Sequence, residues 1–204
     1  MILDREAKSR VFRSVAERLI AHTEELTVLD QAIGDGDHGI NMKRGFEAVL
    51  ADLDTIAAKP LPEALKAAGT ALVMKVGGAS GPLYGTLFLS LGKSLADEVS
   101  QEQVAEAFAA AVEAVKARGK SDAGHKTMLD VFLPVLAVLR EGGEGLPARL
   151  KAAAKRAAEN TIPMRAIRGR ASFLGERSIG HMDPGARSSA LIVDAVADVM
   201  EGRA

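Results

Sequence analysis

Three aspartates near the start of the chain, Asp30, Asp35 and Asp37, form the pattern with the clearest chemical meaning, because two of them flank a single glycine. Carboxylates within about 4 Å of one another repel by several kcal/mol per pair at the dielectric of a protein, and a cation among them removes that cost. Oxygen ligands on a glycine-bent backbone suit a hard ion, Mg²⁺ or Ca²⁺, better than zinc. The alternative is a solvated acidic turn that caps the following helix.

Two familiar motifs overlap this aspartate loop, and neither fits it. Residues 34–39 match the G-x-G-x-x-G dinucleotide pattern, but the variable positions are acidic and no βαβ unit surrounds them. An EF-hand beginning at Asp35 would need glycine at position 40 and glutamate at 46, where the chain has Ile40 and Phe46. The loop is therefore predicted to bind a metal ion without belonging to either motif.

A glycine-rich stretch at residues 77–82 could bind the phosphate that such a metal site needs. Mg²⁺ takes few protein carboxylates and usually completes its shell with water and phosphate oxygens, so three aspartates look like half of a site. Small residues before a helix let backbone N–H groups approach a phosphate, and Ser80 adds a hydroxyl donor. The alternative is an ordinary glycine-rich turn. A Walker A loop is missing, since Leu87 occupies the upstream glycine position required before residues 92–94.

A second glycine-framed loop, residues 169–185, carries Arg170 and Arg177 as candidate phosphate partners. Guanidinium groups bind oxyanions through two parallel hydrogen bonds, although a single arginine is more often only a surface charge. Histidines also lie in the candidate loops, among them His38 and His125. They could bond to a ligand or orient the loop backbone, and none has a catalytic partner at a recognisable spacing.

These loops must be positioned by helices, because glycine and proline divide the alanine- and leucine-rich chain into helical segments of roughly fifteen to twenty residues. Strand patterns are missing. We predict one all-α domain over residues 1–204, an eight-helix antiparallel up-and-down barrel or bundle with the site in loops at one end. Ser100 and Asp183 should cap helices, and Pro134 and Pro163 should bend them. The predicted helices cover about residues 4–27, 40–54, 60–76, 82–97, 100–118, 126–140, 147–167 and 183–200.

Composition excludes several classes of function. The chain has 26 basic and 27 acidic side chains and 3% aromatic residues, which argues against nucleic-acid binding and against attraction to anionic membranes. It has no cysteine, so disulfides and thiolate metal sites are excluded. The N-terminus lacks the apolar core of a signal peptide, and no apolar run reaches the roughly 18 residues of a membrane span. A cytoplasmic protein is expected.

Taken in order, the motifs closely resemble the L-subunit family of dihydroxyacetone kinases over essentially the whole chain. Several motifs in the same order are far more specific than any one of them. The residues that carry the resemblance are Asp30-x4-Asp35-Gly36-Asp37-His38-Gly39, Asn41-Met42-x2-Gly45-Phe46, Gly77-Gly78-Ala79-Ser80-Gly81-Pro82-Leu83-Tyr84-Gly85, Lys126-Thr127-Met128-Leu129-Asp130, Gly169-Arg170-Ala171-Ser172 and Asp183-Pro184-Gly185.

The resemblance implies an eight-helix barrel that binds ADP or ATP and two Mg²⁺ at one end. Asp30, Asp35 and Asp37 would be the metal ligands, and together with Arg170 they would carry the catalysis. It also assigns the nucleotide to short motifs. These are His38, Gly39, Ile40, Asn41, Ala79 and Ser80 for the phosphates and sugar, Gly119 and Met128 for the adenine, and Arg170, Asp183, Pro184 and Gly185 for closure over the nucleotide.

Partners follow from the same resemblance. In this family the ketose lies on a separate K subunit, bound through a histidine of that subunit. A stand-alone L-type chain resembles the bacterial arrangement, in which retained ADP is rephosphorylated in place by a phosphohistidine carrier, the M-type subunit. ATP-exchanging versions for other small ketoses are the first alternative, and a module that docks a transcription regulator is the second. A homodimer is expected, whereas a dinucleotide oxidoreductase, which would need a sheet, is not.

Two positions depart from the family pattern. His125 stands where the family usually has an aspartate before Lys126 and Thr127, which should change how the adenine-side loop is held. Pro163 interrupts a helix that is usually continuous. Neither position belongs to the aspartate triad, so the expected function is retained.

Overall fold

The chain folds into α-helices without a β-sheet, apart from one isolated antiparallel bridge between Ile2 and Glu98. The computed structural model describes residues 2–203, and no helix within that range is long and apolar enough to cross a membrane. The all-α prediction is confirmed. The helices are α1 (Arg5–Ala21), α2 (Thr23–Ile33), α3 (His38–Ala51), α4 (Leu53–Ala57), α5 (Leu61–Lys75), α6 (Ser80–Ser94), α7 (Gln101–Gly119), α8 (Leu129–Glu141), α9 (Leu146–Glu159) and α10 (Pro184–Met200), with a 3₁₀ helix at Arg170–Ser178.

The predicted count of eight helices is wrong for the described residues, because two of the expected helices are each divided. The segment predicted as one helix over residues 4–27 breaks at His22, whose φ of −101° and ψ of 17° are not helical. There the His22 Nδ1 lies 2.7 Å from the Arg18 carbonyl oxygen, and the Thr23 hydroxyl donates to the Ile20 carbonyl at 2.6 Å. Side chains that bond to nearby carbonyls in this way compete with the helical ladder.

The break at His22 has a consequence for the site. After it the chain resumes as α2 and stays helical to Ile33, whereas a loop was predicted from residue 29 onward. Asp30 therefore lies in the last turn of a helix, and only Asp35 and Asp37 lie in the turn that follows. The second divided segment, predicted over residues 40–54, separates into α3 and α4 at Asp52, where φ is −101° and ψ is 11°.

Helix caps that could be read from sequence are where they were predicted. The Ser100 hydroxyl accepts from the Gln103 N–H and the Gln103 side chain accepts from the Ser100 N–H, which is a capping box at the start of α7. The Asp183 carboxylate accepts from the Ala186 N–H at 2.7 Å and starts α10. Pro134 lies inside α8. Pro163 was expected to bend a helix over residues 147–167, but α9 ends at Glu159 and Pro163 lies beyond it.

Eight of the helices form a closed ring around the core. Each of α1, α3, α5, α6, α7, α8, α9 and α10 packs against the next in this order, and α10 packs against α1. Buried apolar side chains from most of these helices form one core cluster, and α8, α9 and α10 share a second. The eight-helix barrel is therefore present, with α2 and α4 as additional short helices outside the ring.

The contact between α2 and α3 depends on a glycine. A Cβ placed on Gly39 would lie 2.1 Å from the Thr23 carbonyl oxygen and 2.4 Å from the Thr27 hydroxyl. The nearest of these atoms is backbone, so it cannot move aside without a shift of α2. We predict that Gly39→Ala lowers the free energy of unfolding by about 1 to 3 kcal/mol because it overpacks this contact. Urea denaturation followed by circular dichroism measures the change.

Gly119→Ala is the matched control, since a Cβ there would meet the flexible Leu83 side chain at 3.3 Å and the Ser121 Cβ at 3.8 Å, which is ordinary contact. Its free energy of unfolding should stay within about 1 kcal/mol of the wild type, because alanine is also the better helix former. Equal stability of the two variants would contradict the close α2–α3 contact.

Candidate functional site

The N-terminal ends of four helices meet at one cleft. His38 begins α3, Ser80 begins α6, Met128 caps α8 and Pro184 begins α10, and all four line the cleft. Helix N-termini offer unpaired N–H groups and a partial positive charge, which favour an anion. The lining residues are Asp30, Ile33, Asp35, Asp37, His38, Gly78, Ala79, Ser80, Leu83, Lys126, Thr127, Met128, Arg168, Gly169, Arg170, Ala171, Asp183, Pro184 and Gly185.

The three aspartates converge at this cleft as the sequence predicted. Carboxylate oxygens of Asp30, Asp35 and Asp37 all lie within 4.8 Å of one another. Asp30 is buried at 8% exposure, whereas the other two face the cleft from the turn after α2. Three carboxylates at this separation fit a hard cation, because without one their charges repel.

Asp30 holds the turn that brings the triad together. Its Oδ2 accepts from the N–H of Asp37 at 2.8 Å and from the N–H of His38 at 3.1 Å. Burial raises the pKa of the Asp30 carboxyl, these two N–H bonds lower it, and the charges of Asp35 and Asp37 raise it again. A bound divalent cation would stabilise the ionised form of the buried Asp30 carboxyl and offset the repulsion among the three carboxylates. The electrostatics of the site therefore favour a metal ion.

Arg170 is the one cationic side chain that bonds directly to the triad within residues 2–203. Its guanidinium forms an ion pair with Asp35, with 3.0 Å between nitrogen and oxygen, and both groups are partly exposed to solvent. An exposed pair of this kind contributes little to stability. Its value lies in placing a guanidinium at the edge of the metal site, where it can also bind a phosphate.

His38 is fixed at the base of the cleft by two serines from different helices. Its Nδ1 lies 3.0 Å from the Ser80 hydroxyl oxygen, and its Nε2 lies 2.9 Å from that of Ser188. The Ser188 hydroxyl is in turn 2.7 Å from the Tyr84 hydroxyl. Burial lowers the pKa of His38 to about 4, so the ring is neutral at physiological pH. The histidine therefore positions Ser80 and the helix ends, and it has no free nitrogen to act as a base.

Comparison with known proteins agrees with this geometry. The DAK2 domain family matches residues 32–198. The ADP-binding subunit of PEP-dependent dihydroxyacetone kinase 1 from Listeria innocua is 44% identical over 197 residues, which are 96% of this chain and 97% of that one. The corresponding subunit from Escherichia coli is 47% identical over 174 residues, 81% of this chain and 83% of that one. The chain belongs to the DAK2 domain family.

A solved structure shares the fold of this DAK2 domain. The dihydroxyacetone kinase of C. freundii, crystallised with AMP-PNP and Mg²⁺, aligns with a TM-score of 0.79 and 26% identity over 97% of this chain. The chain spans about a third of that kinase, since the alignment covers 34% of it. The predicted resemblance to dihydroxyacetone kinase L subunits is confirmed by these relatives. The expected nucleotide and magnesium agree with the contents of that crystal.

Most residues predicted for the nucleotide site line the cleft of this DAK2 domain, and four do not. Gly39 packs against α2, and Ile40 points outward at 56% exposure. Asn41 is buried beside the turn at Gly77, where its side-chain Oδ1 accepts from the Arg44 guanidinium at 2.6 Å. Gly119 lies behind Leu83, itself a lining residue. The role of these four positions in binding a nucleotide stays a prediction.

The second arginine at the cleft, beside Arg170, is not the one that was predicted. Arg177 is exposed and does not line the cleft, whereas Arg168 does. Arg168 lies just before Gly169 and therefore outside the predicted loop of residues 169–185. Lys126 and Thr127 were also missed as cleft residues. Their place in the family motif was the available signal.

His125, the departure from the family pattern, holds its loop through its ring. Its Nδ1 accepts from the Asp122 N–H at 3.1 Å and lies 3.3 Å from the Ser121 hydroxyl oxygen. Asp130 secures the next part of the same turn, since its carboxylate accepts from the Gly124 N–H at 2.5 Å and from the Thr127 N–H at 2.7 Å. The loop is therefore well bonded even though a histidine replaces the usual aspartate.

Asp183 should make the stability of the domain depend on pH. Burial raises the pKa of this carboxyl to about 7 from an ordinary value of 3.8, and the nearby charge of Asp130 adds to the rise. The folded state therefore keeps a proton that the unfolded chain loses, so this contribution to stability is present below about pH 4 and is lost as the pH rises to about 7. We predict that Asp183→Asn reduces the loss of stability over that interval.

Urea unfolding of both proteins in a chelator, at several values between about pH 5 and pH 7, measures the difference. Asparagine caps helices about as well as aspartate, so the start of α10 should be retained. Parallel curves for the wild type and the variant would show that Asp183 is already ionised in this range.

Proposed function

We propose that this chain is the ADP-binding subunit of a dihydroxyacetone kinase, which holds a magnesium nucleotide and passes its terminal phosphoryl group to a small ketose on a separate K subunit. The observation that carries the proposal is the convergence of Asp30, Asp35 and Asp37 within 4.8 Å at the N-termini of four helices. The relatives from L. innocua and E. coli support it, because both are ADP-binding subunits of such kinases and the chain matches most of their own length.

The charges in the cleft favour a metal–nucleotide complex over either component alone. ADP carries roughly three negative charges at neutral pH, and the triad adds three carboxylates. Two Mg²⁺ would supply four positive charges, and Arg168 and Arg170 line the same cleft. When bound, the metal ions would neutralise charge on the transferring phosphoryl group. We expect nucleotide binding to require magnesium for this reason.

The residues of the chain position the phosphates and keep the reacting group accessible. Backbone N–H groups at the start of α6, with the Ser80 hydroxyl, face the cleft beside the triad. The cavity volume is about 160 Å³, below the roughly 300 to 1,000 Å³ typical of ligand sites. A nucleotide would therefore remain partly exposed at the mouth, as a phosphoryl donor for another protein must be.

The engagement of His38 by two serines supports a second subunit for the ketose. Transfer to a ketose hydroxyl needs a group that accepts its proton. His38 has both ring nitrogens engaged by serines and a pKa of about 4, so it cannot serve. The triad carboxylates are committed to the metal ions in this proposal. The proton acceptor would then come from the K subunit together with the ketose.

Exposed apolar side chains that are close in sequence to lining residues are candidates for the surface that contacts that subunit. Phe173, in the 3₁₀ helix, is 89% exposed and lies two residues after Ala171, which lines the cleft. Val28, Ile40 and Ile167 are also exposed, each within two residues of a lining residue. Exposed aromatic side chains on a rigid loop commonly anchor protein interfaces, so we propose Phe173 as the anchor.

The phosphoryl group could come from a phosphohistidine carrier or from free ATP, and we propose the carrier. The relatives from L. innocua and E. coli are named PEP-dependent, which favours rephosphorylation of retained ADP by a phosphohistidine carrier over exchange with free ATP. The carrier would reach the phosphates through the same mouth. A homodimer and a role in docking a transcription regulator rest on the family resemblance alone, and both stay predictions.

The first test removes one carboxylate of the triad. We predict that Asp35→Ala or Asp37→Ala weakens ADP binding by more than about a hundredfold, since each removes a metal ligand at the phosphate end. The helical circular dichroism signal should remain, because both side chains lie in a turn. Native mass spectrometry of the purified proteins, with and without magnesium, measures the retained nucleotide.

Asp54→Ala is the control, since Asp54 is almost fully exposed and bonds only to Arg5 among the described residues. It should retain ADP like the wild type. Tight ADP binding by either triad variant, or magnesium-independent binding by the wild type, would overturn the proposed function. ADP that resists dialysis would favour the phosphohistidine carrier, and nucleotide that exchanges freely would favour ATP.

The second test concerns the docking surface. We predict that Phe173→Ala raises the concentration of K subunit needed for half-maximal phosphoryl transfer by about tenfold, while ADP binding is unchanged. The control is Met200→Ala, which removes a side chain of 50% exposure at the far end of the 17-residue α10. A coupled assay with titrated K subunit measures both. Equal behaviour of the two variants would show that Phe173 is not an anchor.

A further inference from the structure

Lys126 is the most deeply buried charged side chain within the described range, and its ammonium group is fully occupied. The residue is 1% exposed. Its Nζ donates to three backbone carbonyls, those of Met164 at 3.0 Å, Ser178 at 2.6 Å and His181 at 2.6 Å. A buried lysine is costly unless its charge is well bonded, and here all three of its N–H groups have an acceptor.

The three carbonyls bracket the segment that carries the arginines, which we call the arginine segment, residues 164–181. Its first and last parts are held by Lys126, and its residues 168–171 lie between them and line the cleft. Arg170, at this apex, reaches the triad through Asp35. One ammonium group thus ties both ends of a segment whose middle faces the metal site.

Other contacts of the arginine segment determine its internal form, bond Gly180 to the Ile162 carbonyl and pack Ala166 against Ile33 of α2. Its attachment to the turn before α8 depends mainly on Lys126. The Ser178 hydroxyl accepts from the Ala166 N–H at 2.9 Å and donates to the Gly175 carbonyl at 2.6 Å. Apart from the bonds of Lys126, the segment and the turn before α8 are joined by a backbone hydrogen bond from the Ile167 N–H to the His125 carbonyl, at 3.3 Å. Lys126 therefore supplies most of the polar bonding that joins the segment to that wall of the cleft.

The backbone at Lys126 is itself held in an unusual conformation. Its φ is +61°, in the left-handed region that non-glycine residues rarely adopt. The turn around it is secured by Asp130, which accepts from the N–H groups of Gly124 and Thr127. Strain of this kind persists where the surrounding structure enforces it, and it is common at functional sites. The strained turn directs the lysine side chain toward the arginine segment.

We propose that Lys126 is a positioning residue that fastens the arginine segment over the cleft and thereby sets how long the nucleotide stays bound. This inference rests on the proposed function, because it concerns the same cleft. Lys126 acts through the segment, and its ammonium group has no donor left for a phosphate. Loss of the ammonium group frees the apex that carries Arg168 and Arg170, so the nucleotide leaves faster.

The test compares Lys126→Met, which keeps the length of the side chain and removes its charge and donors, with the wild type. ADP dissociation should become about 10- to 100-fold faster, the range usual for partners that orient a binding group. Amide hydrogen exchange in residues 165–177 should become faster in the nucleotide-free protein. Stopped-flow displacement of a fluorescent ADP analogue and exchange mass spectrometry measure the two effects.

Lys8→Met is the matched control, since Lys8 is also a buried lysine that donates to a backbone carbonyl, that of Lys59, away from the cleft. It should leave the dissociation rate unchanged even if it lowers stability. The chain has no cysteine, so Lys126→Cys can be aminoethylated selectively in the unfolded state and refolded to restore an ammonium group. This product should recover slow dissociation, whereas propylation of the same thiol should not.

The outcomes separate the two proposals. If wild-type protein with magnesium does not bind ADP, the proposed function fails. If it binds ADP and Lys126→Met releases it at the wild-type rate, the positioning role is overturned and the function stands. Should Lys126→Met not fold, Lys126→Gln, which keeps two N–H donors but no charge, takes its place with the same expected direction. Equal acceleration by Lys8→Met would likewise overturn the inference.

Discussion

The mutual repulsion of three carboxylates is the constraint on which the site depends. The carboxylates of Asp30, Asp35 and Asp37 lie within 4.8 Å of one another. Two backbone N–H groups donate to Asp30 and hold the turn in this form. The helix N-termini around them provide partial positive charge, which lessens the repulsion without removing it. The remaining imbalance would favour a divalent cation with an anionic ligand at this end of the barrel.

The barrel brings several helix N-termini to the cleft that holds the three carboxylates. In a ring of helices that alternate in direction, every second helix presents its N-terminus at the same end. Here those are α3, α6, α8 and α10, and each contributes its first residue or its cap to one cleft. A sheet-based nucleotide fold usually offers one such terminus beside a glycine loop. This fold gathers four, and the glycines at the ends of the helices allow the backbones to approach.

Much of the fold could be predicted because helix boundaries depend on residues that are close together in sequence. The capping box at Ser100 and the aspartate–proline start of α10 were correct, since a cap needs only residues within one turn. The break at His22 was missed because a histidine ring bonding to a carbonyl four residues earlier has no distinct sequence pattern. For the same reason Asp30 was assigned to a loop although it lies on a helix.

The candidate site was predictable where its residues are neighbours in sequence and not where they meet through space. The triad spans eight positions, and its composition alone indicated a metal. The bond between His38 and Ser188 joins residues 150 positions apart, and the acceptors of Lys126 are backbone carbonyls, which any residue type supplies. Family resemblance marked Lys126 as part of a motif, but only the structure indicates what its ammonium group holds.

The alternating direction of the helices has a further consequence for traffic at the nucleotide. Because the helices alternate in direction, N-termini and C-termini are present at both ends of the ring, whereas the triad, Arg168 and Arg170 all line the one cleft described above. The phosphates of a bound nucleotide would then be reached through the mouth of this cleft. In the proposed function, a protein that recharges the nucleotide and a protein that receives the phosphoryl group would both use this mouth, so their footprints would overlap. The two encounters would then alternate, and the subunit would work as a shuttle visited in turn, not as the middle of a standing three-way assembly.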